Sequence, residues 1–361
     1  MESSDSELDL IRVEKAFRKR MPGFCGPLTA EKTPHGQSNP TYIISSQSGK
    51  YVLRRKPDGV LLPSAHAVER EYRVMTALAE SDLPVPCTHF LCEDPEEIGA
   101  VFFVMDYVSG NVFTDPGLPG LSTSERESVY DQMNLGLAKL HKLNPEMLGL
   151  SDFGRPGNYF ERQYSRWSRQ YEASATEHFA EMEDLQQWLK NNIPEENGAP
   201  CLVHGDWRID NLIYKTGSFH LAAVIDWEIS TLGNPMADLG TQLMQWEMPS
   251  GDETRGLSGL DRKSLGIPNN TDYVENYARR VGMTDIPDLT FAVAFSFFRM
   301  AAIMQGIKKR VLDGNASNPE WGIKGINSIQ LFVKKALDSV SYTHLRAHET
   351  PEHRGWLVVL G

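Results

Sequence analysis

Between the apolar pairs Leu202-Val203 and Leu212-Ile213 the chain places His204, Gly205, Asp206, Arg208, Asp210 and Asn211. Polar side chains so closely flanked by apolar ones need partners or a ligand, because burying them unpaired is costly. A polar hairpin loop would satisfy that need, and so would a catalytic loop. The spacing of the neighbouring carboxylates favours the catalytic loop. Asp206 stands five residues before Asn211, and Asp226 comes fifteen after it in "VIDWE", directly behind an apolar strand. A third aspartate, Asp238, lies further on in "GNPMADLG". An Asp and an Asn five apart, then an Asp closing the next strand, supply the hard oxygens that Mg²⁺ takes together with phosphate oxygens. Asn211 and Asp226 would hold the metal, leaving Asp206 free to accept a proton from a substrate hydroxyl.

The elements that must position these residues fall into two groups. Residues 6–20 read as an amphipathic helix ended by Pro22-Gly23. Runs 41–45 and 51–55 flank a Ser/Gly turn and predict a hairpin. Residues 64–81 predict a helix with Val68, Tyr72, Met75 and Leu78 on one face, stopped by Pro84 and Pro86. Residues 100–110 predict a strand, so 1–107 reads as a small α+β lobe. Helices dominate 108–340. One opens on a Ser124–Glu127 capping box and closes at Pro145. Another sets Phe160, Tyr164, Trp167 and Tyr171 on one stripe, with Arg162, Arg166 and Arg169 opposite. Two more cover 288–312 and 323–338. Residues 341–361 depart in composition and read as a non-native tail, in which a site of His344, His348 and His353 lacks completing ligands.

Composition narrows the partners. The formal charge is −12, from 48 acidic and 36 basic residues, which disfavours a general nucleic-acid binder. No apolar run reaches the roughly 18 residues of a membrane span, and "FAVAFSFF" is far too short. The acidic N-terminus is neither signal nor transit peptide. The four cysteines, Cys25, Cys87, Cys92 and Cys201, show no zinc spacing and read as thiols of a reducing compartment. A cytoplasmic protein is expected.

The spacing of Asp206, Asn211 and Asp226 matches the protein-kinase catalytic loop and its metal aspartate. With His-Gly-Asp and Ile-Asp-Trp in those places, the chain resembles the aminoglycoside-phosphotransferase family of small-molecule kinases. From about residue 10 to 340, "YVLRRKP…LLPSAHAVEREYRVM…HGDWRIDNLIY…VIDWEISTLGNPMADLG" is similar to the kinase-like domain fused ahead of acyl-CoA dehydrogenases. That resemblance implies a bilobal protein-kinase-like α+β fold, with a β-rich N-lobe carrying one main helix and a larger helical C-lobe. It implies ATP and Mg²⁺ as cofactors. The role of base would fall to Asp206 and a γ-phosphate contact to Arg208, unless Arg208 is a surface arginine paired with Asp210. His204 and Asp238 would support the loop.

The same resemblance puts the nucleotide grip in the small lobe. Gly36, Ser38 and Asn39 would cover the phosphates, although the loop lacks GxGxxG, and no P-loop motif occurs anywhere. Arg54 would meet the α/β-phosphates, with Lys56 as alternative; Glu71 would anchor that cation, with Glu69 as alternative. The backbone from Asp106 to Val108 would bond adenine. A hydroxyl on a small molecule is the implied acceptor, in a hydroxyacyl compound or its CoA thioester, with an acyl-CoA dehydrogenase as a separate partner chain. The arginine face at 162–169 is either a solvated face paired with Glu161 and Glu172 or an argument for a carboxylate or phosphate on the acceptor, against an aminoglycoside or choline-like cation. Two rivals are a nucleotide-binding pseudokinase module, which has no chemical reason to keep Asp206, Asn211 and Asp226, and a metal-dependent hydrolase, which needs a second ligand cluster.

Overall fold

The computed structural model describes residues 8–33, 39–57, 67–155, 157–196, 198–251, 254–285, 287–314 and 328–347, with side chains as far as 341. Two lobes of unlike build share it. The first contains α1 (Leu10–Arg20), β1 (Thr29–Lys32), β2 (Thr41–Ser46), β3 (Gly49–Arg55), α2 (Val68–Leu78), β4 (Thr88–Cys92) and β5 (Phe102–Asp106). Its strands form one antiparallel sheet in the order β1-β2-β3-β5-β4. Strand periodicity sorts the side chains between two faces. Leu53 of β3 with Phe102 and Val104 of β5 packs under Phe17 of α1 in one core. Phe103 and Met105 turn the other way, against Val74, Met75 and Leu78 of α2, and belong to the main core. Arg54 lies opposite Phe103 in the ladder, so it shares that second face.

The second lobe adds β6 (Asn111–Val112), α3 (Thr123–Lys142), α4 (Tyr159–Ser174), α5 (Ala180–Asn191), β7 (Cys201–Val203), β8 (Leu212–Tyr214), β9 (Leu221–Val224) and β10 (Thr231–Gly233). It continues with α6 (Met236–Glu247), α7 (Arg262–Leu265), α8 (Asn270–Val281), α9 (Thr290–Leu312) and α10 (Ser328–Ala347). Small sheets β6-β8-β9 and β10-β7 sit among these helices. The fold is the expected α+β pair of lobes.

Several expectations need correction. The capping box of α3 is Ser122–Glu125, not Ser124–Glu127: the helix starts one turn-fraction earlier because the Ser122 hydroxyl accepts the Glu125 N–H while Glu125 bonds back to the Ser122 N–H. The first helix begins at Leu10, where Asp9 accepts the N–H groups of Ile11 and Arg12 at 3.1 Å each. Strands β1 and β4 flank the expected hairpin and strand on the sheet edges, and "STLGNPMADLG", whose turn residues read as a loop, holds both β10 and the start of α6. Helix α10 runs past 338 to Ala347, into the stretch set apart by composition; His348 and His353 lie outside the described residues.

Helix α9 is long and apolar enough to cross a membrane by length and composition, and 78% of its apolar window is buried within the protein. It packs against α4, α6 and α10. At the α6 crossing, a Cβ on Gly240 would come within 2.6 Å of the backbone carbonyl of Ala292, which cannot swing aside. Gly240→Ala is therefore expected to destabilise the fold by about 1–3 kcal/mol through overpacking. Urea titration should show a lower midpoint at unchanged slope; an unmoved midpoint would mean that the helices can part there.

Candidate active site

Strand β7 ends at Val203, and the chain crosses to β8 through residues 204–211, whose last three form a 3₁₀ turn, Ile209–Asn211. Trp207 and Ile209 sink into the core while Asp206, Arg208 and Asp210 remain partly exposed between them. That alternation explains the mixed sequence. Gly205 at φ +86 occupies the left-handed region, and a Cβ there would sit 3.0 Å from Ile229. The β8–β9 hairpin pairs Leu212 with Val224, and the Ile225 N–H reaches the Asn211 carbonyl at 3.0 Å. Asn211 and Asp226, fifteen residues apart in the chain, thus leave the same end of one hairpin. Asp226 is held at φ +66, an uncommon conformation for a residue with a side chain and one that clusters at functional sites.

Asn211 spends both Nδ2 hydrogens on Asp206, donating to its carbonyl at 2.9 Å and to Oδ2 at 3.0 Å. Asp206 Oδ1 faces Arg208 Nε at 3.3 Å, and Arg208 Nη2 donates to Asp210 Oδ2 at 3.0 Å. Arg208 thus bridges both carboxylates instead of pairing with Asp210 alone. The Asp206 charge raises the Arg208 guanidinium against the opposing effect of burial, and burial raises the Asp210 carboxyl.

His204 and Asp238 hold this loop from beneath. His204 is fully buried, its ring between Trp207 and Trp227 at centroid distances of 5.7 and 4.7 Å. Its Nε2 bonds the Ile225 carbonyl at 3.0 Å, and its Nδ1 accepts the Asp206 N–H at 3.2 Å, which assigns the tautomer from the bonding network. Asp238, in the first turn of α6, accepts the N–H groups of His204 at 2.8 Å and Gly205 at 2.7 Å. Burial pushes its carboxyl up, but the bond and charge of His141 and the bond from the His204 N–H outweigh it and leave it below the ordinary value. Two supports were not legible in the motif: His141 of α3, 3.1 Å from Asp238 Oδ2, and Arg299 of α9, donating to the Gly205 carbonyl at 2.9 Å. Both lie far away in sequence.

From the sheet lobe, Arg54 points across to Asp226. Its Nε is 2.8 Å from Glu71 Oε2, and its Nη2 donates to Asp226 Oδ1 at 2.7 Å and to Glu228 Oε2 at 3.2 Å. Burial opposes its charge, but Glu71, Asp226 and Glu228 hold the guanidinium above its ordinary range. Glu71 is fully buried, and that desolvation raises its carboxyl despite Arg54. The alternatives Lys56 and Glu69 pair with each other at 2.9 Å, at the edge of the site. Glu228, the last residue of "VIDWE", had no expected role; it also accepts from Asn39 Nδ2 at 3.2 Å, so Asn39 is drawn to the segment that carries Asp226. Gly36 and Ser38 lie outside the described residues. At the strand end, the Asp106 N–H is taken by the Cys87 carbonyl at 2.8 Å and its carboxylate by His89 at 2.7 Å. The Asp106 N–H is therefore engaged within the protein.

A large cavity of about 990 Å³ lies elsewhere, among Glu127, Asn134, Arg262 and Tyr273, and none of the expected site residues lines it. No cluster of three His, Cys, Asp or Glu groups suited to a metal occurs among the described residues, so the hydrolase alternative gains no ligands. All four cysteines are free thiols, with Cys92 and Cys201 buried.

Comparison with known proteins agrees with this geometry. The profile of the phosphotransferase enzyme family, APH, matches residues 29–259. Acyl-CoA dehydrogenase family member 10 of Mus musculus is 45% identical over 294 residues, 81% of this chain and 27% of that protein. The chain spans under half the length of the first curated relatives it matches, at 27% to 43%. The crystal structure of a Ralstonia eutropha JMP134 protein, provisionally named an aminoglycoside phosphotransferase, superposes with a TM-score of 0.84 at 42% identity, covering 93% of this chain and 99% of that one. The GDP complex of aminoglycoside 2′-phosphotransferase-IIIa shares the fold at 14% identity and a TM-score of 0.60, covering 91% and 99%. With a family match that takes in both ends of the Arg54–Asp226 bridge and the whole 204–211 loop, the chain belongs to the APH phosphotransferase family.

Proposed function

We propose that this phosphotransferase moves the γ-phosphoryl group of ATP, with Mg²⁺, to a hydroxyl of a small molecule. The observation that carries the reading is two bonded polar groups brought to one hairpin end: Glu71 and Arg54 from the sheet lobe meeting Asp226, and Asp206 bonded to Asn211, with the Ile225 N–H on the Asn211 carbonyl joining the two. The donor set suits the metal. Asp226 offers a carboxylate, and Asn211, with its Nδ2 committed to Asp206, offers Oδ1. Bound Mg²⁺ would supply charge neutralisation of the phosphate oxygens. Arg54 would turn from Asp226 toward the phosphates while Glu71 keeps its hold, and Asn39 with the segment of Gly36 and Ser38 would cover them. In the Asp106–Val108 stretch the Val108 N–H would bond adenine, since those of Asp106 and Tyr107 are taken by Cys87 and Lys50. Asp206 would take the hydroxyl proton as that oxygen bonds to the γ-phosphorus and ADP leaves, with Arg208 against the transferred group. Residues to 107 would thus serve the nucleotide, and residues 108–340 the acceptor.

The relatives named for acyl-CoA dehydrogenases support a hydroxyacyl compound or its CoA thioester as acceptor and a dehydrogenase as partner. The test is Mg²⁺-dependent ADP formation by the full chain with hydroxy acids, hydroxyacyl-CoAs, choline-like amines and aminoglycosides. ADP with one class names the acceptor; nucleotide binding without turnover by any of them would favour the pseudokinase module.

Asp226→Ala should abolish the Mg²⁺ dependence of nucleotide binding and lower affinity by about tenfold or more, since it removes the only carboxylate of the proposed metal pair. Titration with a fluorescent ATP analogue, with and without Mg²⁺, checks this. Undiminished Mg²⁺-dependent binding would move the metal to other ligands.

A further inference from the structure

One cation in the chain of ion pairs that leads to Asp206 has no task in the proposed phosphoryl transfer. Arg255 lies beyond α6 in a loop closed by bonds of its own: the Arg255 N–H to the Gly251 carbonyl at 2.8 Å, Gly256 to Pro249 at 2.9 Å and Ser258 to Met248 at 3.0 Å. Leu257 plugs that loop into the core at 1% exposure. Arg255 itself is held at φ +51, which residues with a Cβ seldom adopt. Its Nη1 comes within 3.5 Å of Asp210 Oδ2, the same oxygen that Arg208 Nη2 already meets at 3.0 Å. One carboxylate thus faces two guanidiniums, and the looser of them, Arg255, has 43% of its side chain open to solvent. Arg255 has no bond to the sheet lobe among the described residues, and the ion pairs Arg255–Asp210, Asp210–Arg208 and Arg208–Asp206 link it to the proposed base from the helical lobe.

We propose that Arg255 recognises an anionic group, a carboxylate or phosphate, on the acceptor molecule itself. The inference rests on the phosphotransfer reading and narrows its acceptor class. A planar guanidinium with donors left over from its 3.5 Å contact suits such an oxyanion and offers an ammonium no acceptor. Among the arginines of α4, Arg166 lies over the Trp167 ring at 5.3 Å and Arg169 Nε bonds the Ser165 carbonyl at 3.1 Å, and neither is joined by an ion pair to the Asp206–Arg208–Asp210 set among the described residues. The anion handle belongs to the loop after α6.

The experiment compares four acceptors of matched chain length: a hydroxy acid, a hydroxyalkyl phosphate, the hydroxy amide and the amino alcohol. Steady-state kcat/KM is measured for the full chain, Arg255→Ala and Arg255→Lys. Expected is at least a tenfold preference for one or both anionic acceptors over the amide and amino alcohol, and the faster of the two identifies the anion. Arg255→Ala should cut that preference by about 10- to 100-fold, the size of a lost bond to a charged group, with partial recovery in Arg255→Lys. Equal use of the amide or amino alcohol, or a preference that survives Arg255→Ala, overturns the proposal. So does Mg-ATP binding with no turnover of either anionic acceptor, which leaves the nucleotide half standing. Absence of Mg²⁺-dependent nucleotide binding would instead remove the phosphotransfer reading beneath it.

Discussion

Asp206→Asn is expected to lower kcat by about 10²- to 10⁴-fold, the range of a general-base contribution, while Mg-ATP affinity stays within a few-fold of the parent. The geometry separates those two effects. Asp206 Oδ2 receives the Asn211 amide at 3.0 Å and Oδ1 faces Arg208 at 3.3 Å, so an amide must set its own NH₂ against one donor. The longer Arg208 contact yields more easily, and the bond from Asn211 persists. Asn211, Asp226 and Arg54 then keep their places, so the nucleotide side survives while the proton acceptor is gone. Single-turnover ADP formation, paired with a binding titration, distinguishes the cases. Full turnover in the variant would remove the base assignment; lost nucleotide binding would make Asp206 a metal ligand.

The reach of sequence reasoning here tracks the range of the interactions. The 204–211 loop was legible because its alternation of Trp207 and Ile209 with Asp206, Arg208 and Asp210 is local. Asn211 and Asp226 were legible because one hairpin joins them. Arg54 and Glu71 needed the resemblance to choose them over Lys56 and Glu69, since both pairs form and only burial and the reach to Asp226 separate them. His141 and Arg299 could not be found this way: each meets the loop from a distant helix and carries no local pattern. Edge strands β1 and β4 escaped for a related reason, because short half-exposed strands show little alternation. The capping box was misplaced by two residues because "STSERE" offers two serines, each three residues before a glutamate. Only the helix start decides between them.

Asp238→Asn should have the largest effect on stability, about 3 kcal/mol at neutral pH, because it acts where no water can compensate. The carboxylate is fully buried and accepts three donors, the N–H groups of His204 and Gly205 and His141 Nε2. An amide has a single acceptor oxygen and turns its NH₂ toward at least one of those donors, stranding a buried polar group at about 1–3 kcal/mol each and removing a buried charge partner. The pH dependence comes from the direction of the shift. Asp238 is held below the ordinary carboxyl value of 3.8 in the fold. Its protonation therefore favours the unfolded chain, and its stabilisation is complete above that value and declines as pH falls below it. The gap between parent and variant in urea midpoints should be widest near pH 7 and narrow progressively below about pH 4. A gap that stayed constant to pH 3 would show that Asp238 contributes by shape and not by charge. In that case the loop's backbone would be held chiefly by Arg299 and the buried rings of Trp207, His204 and Trp227.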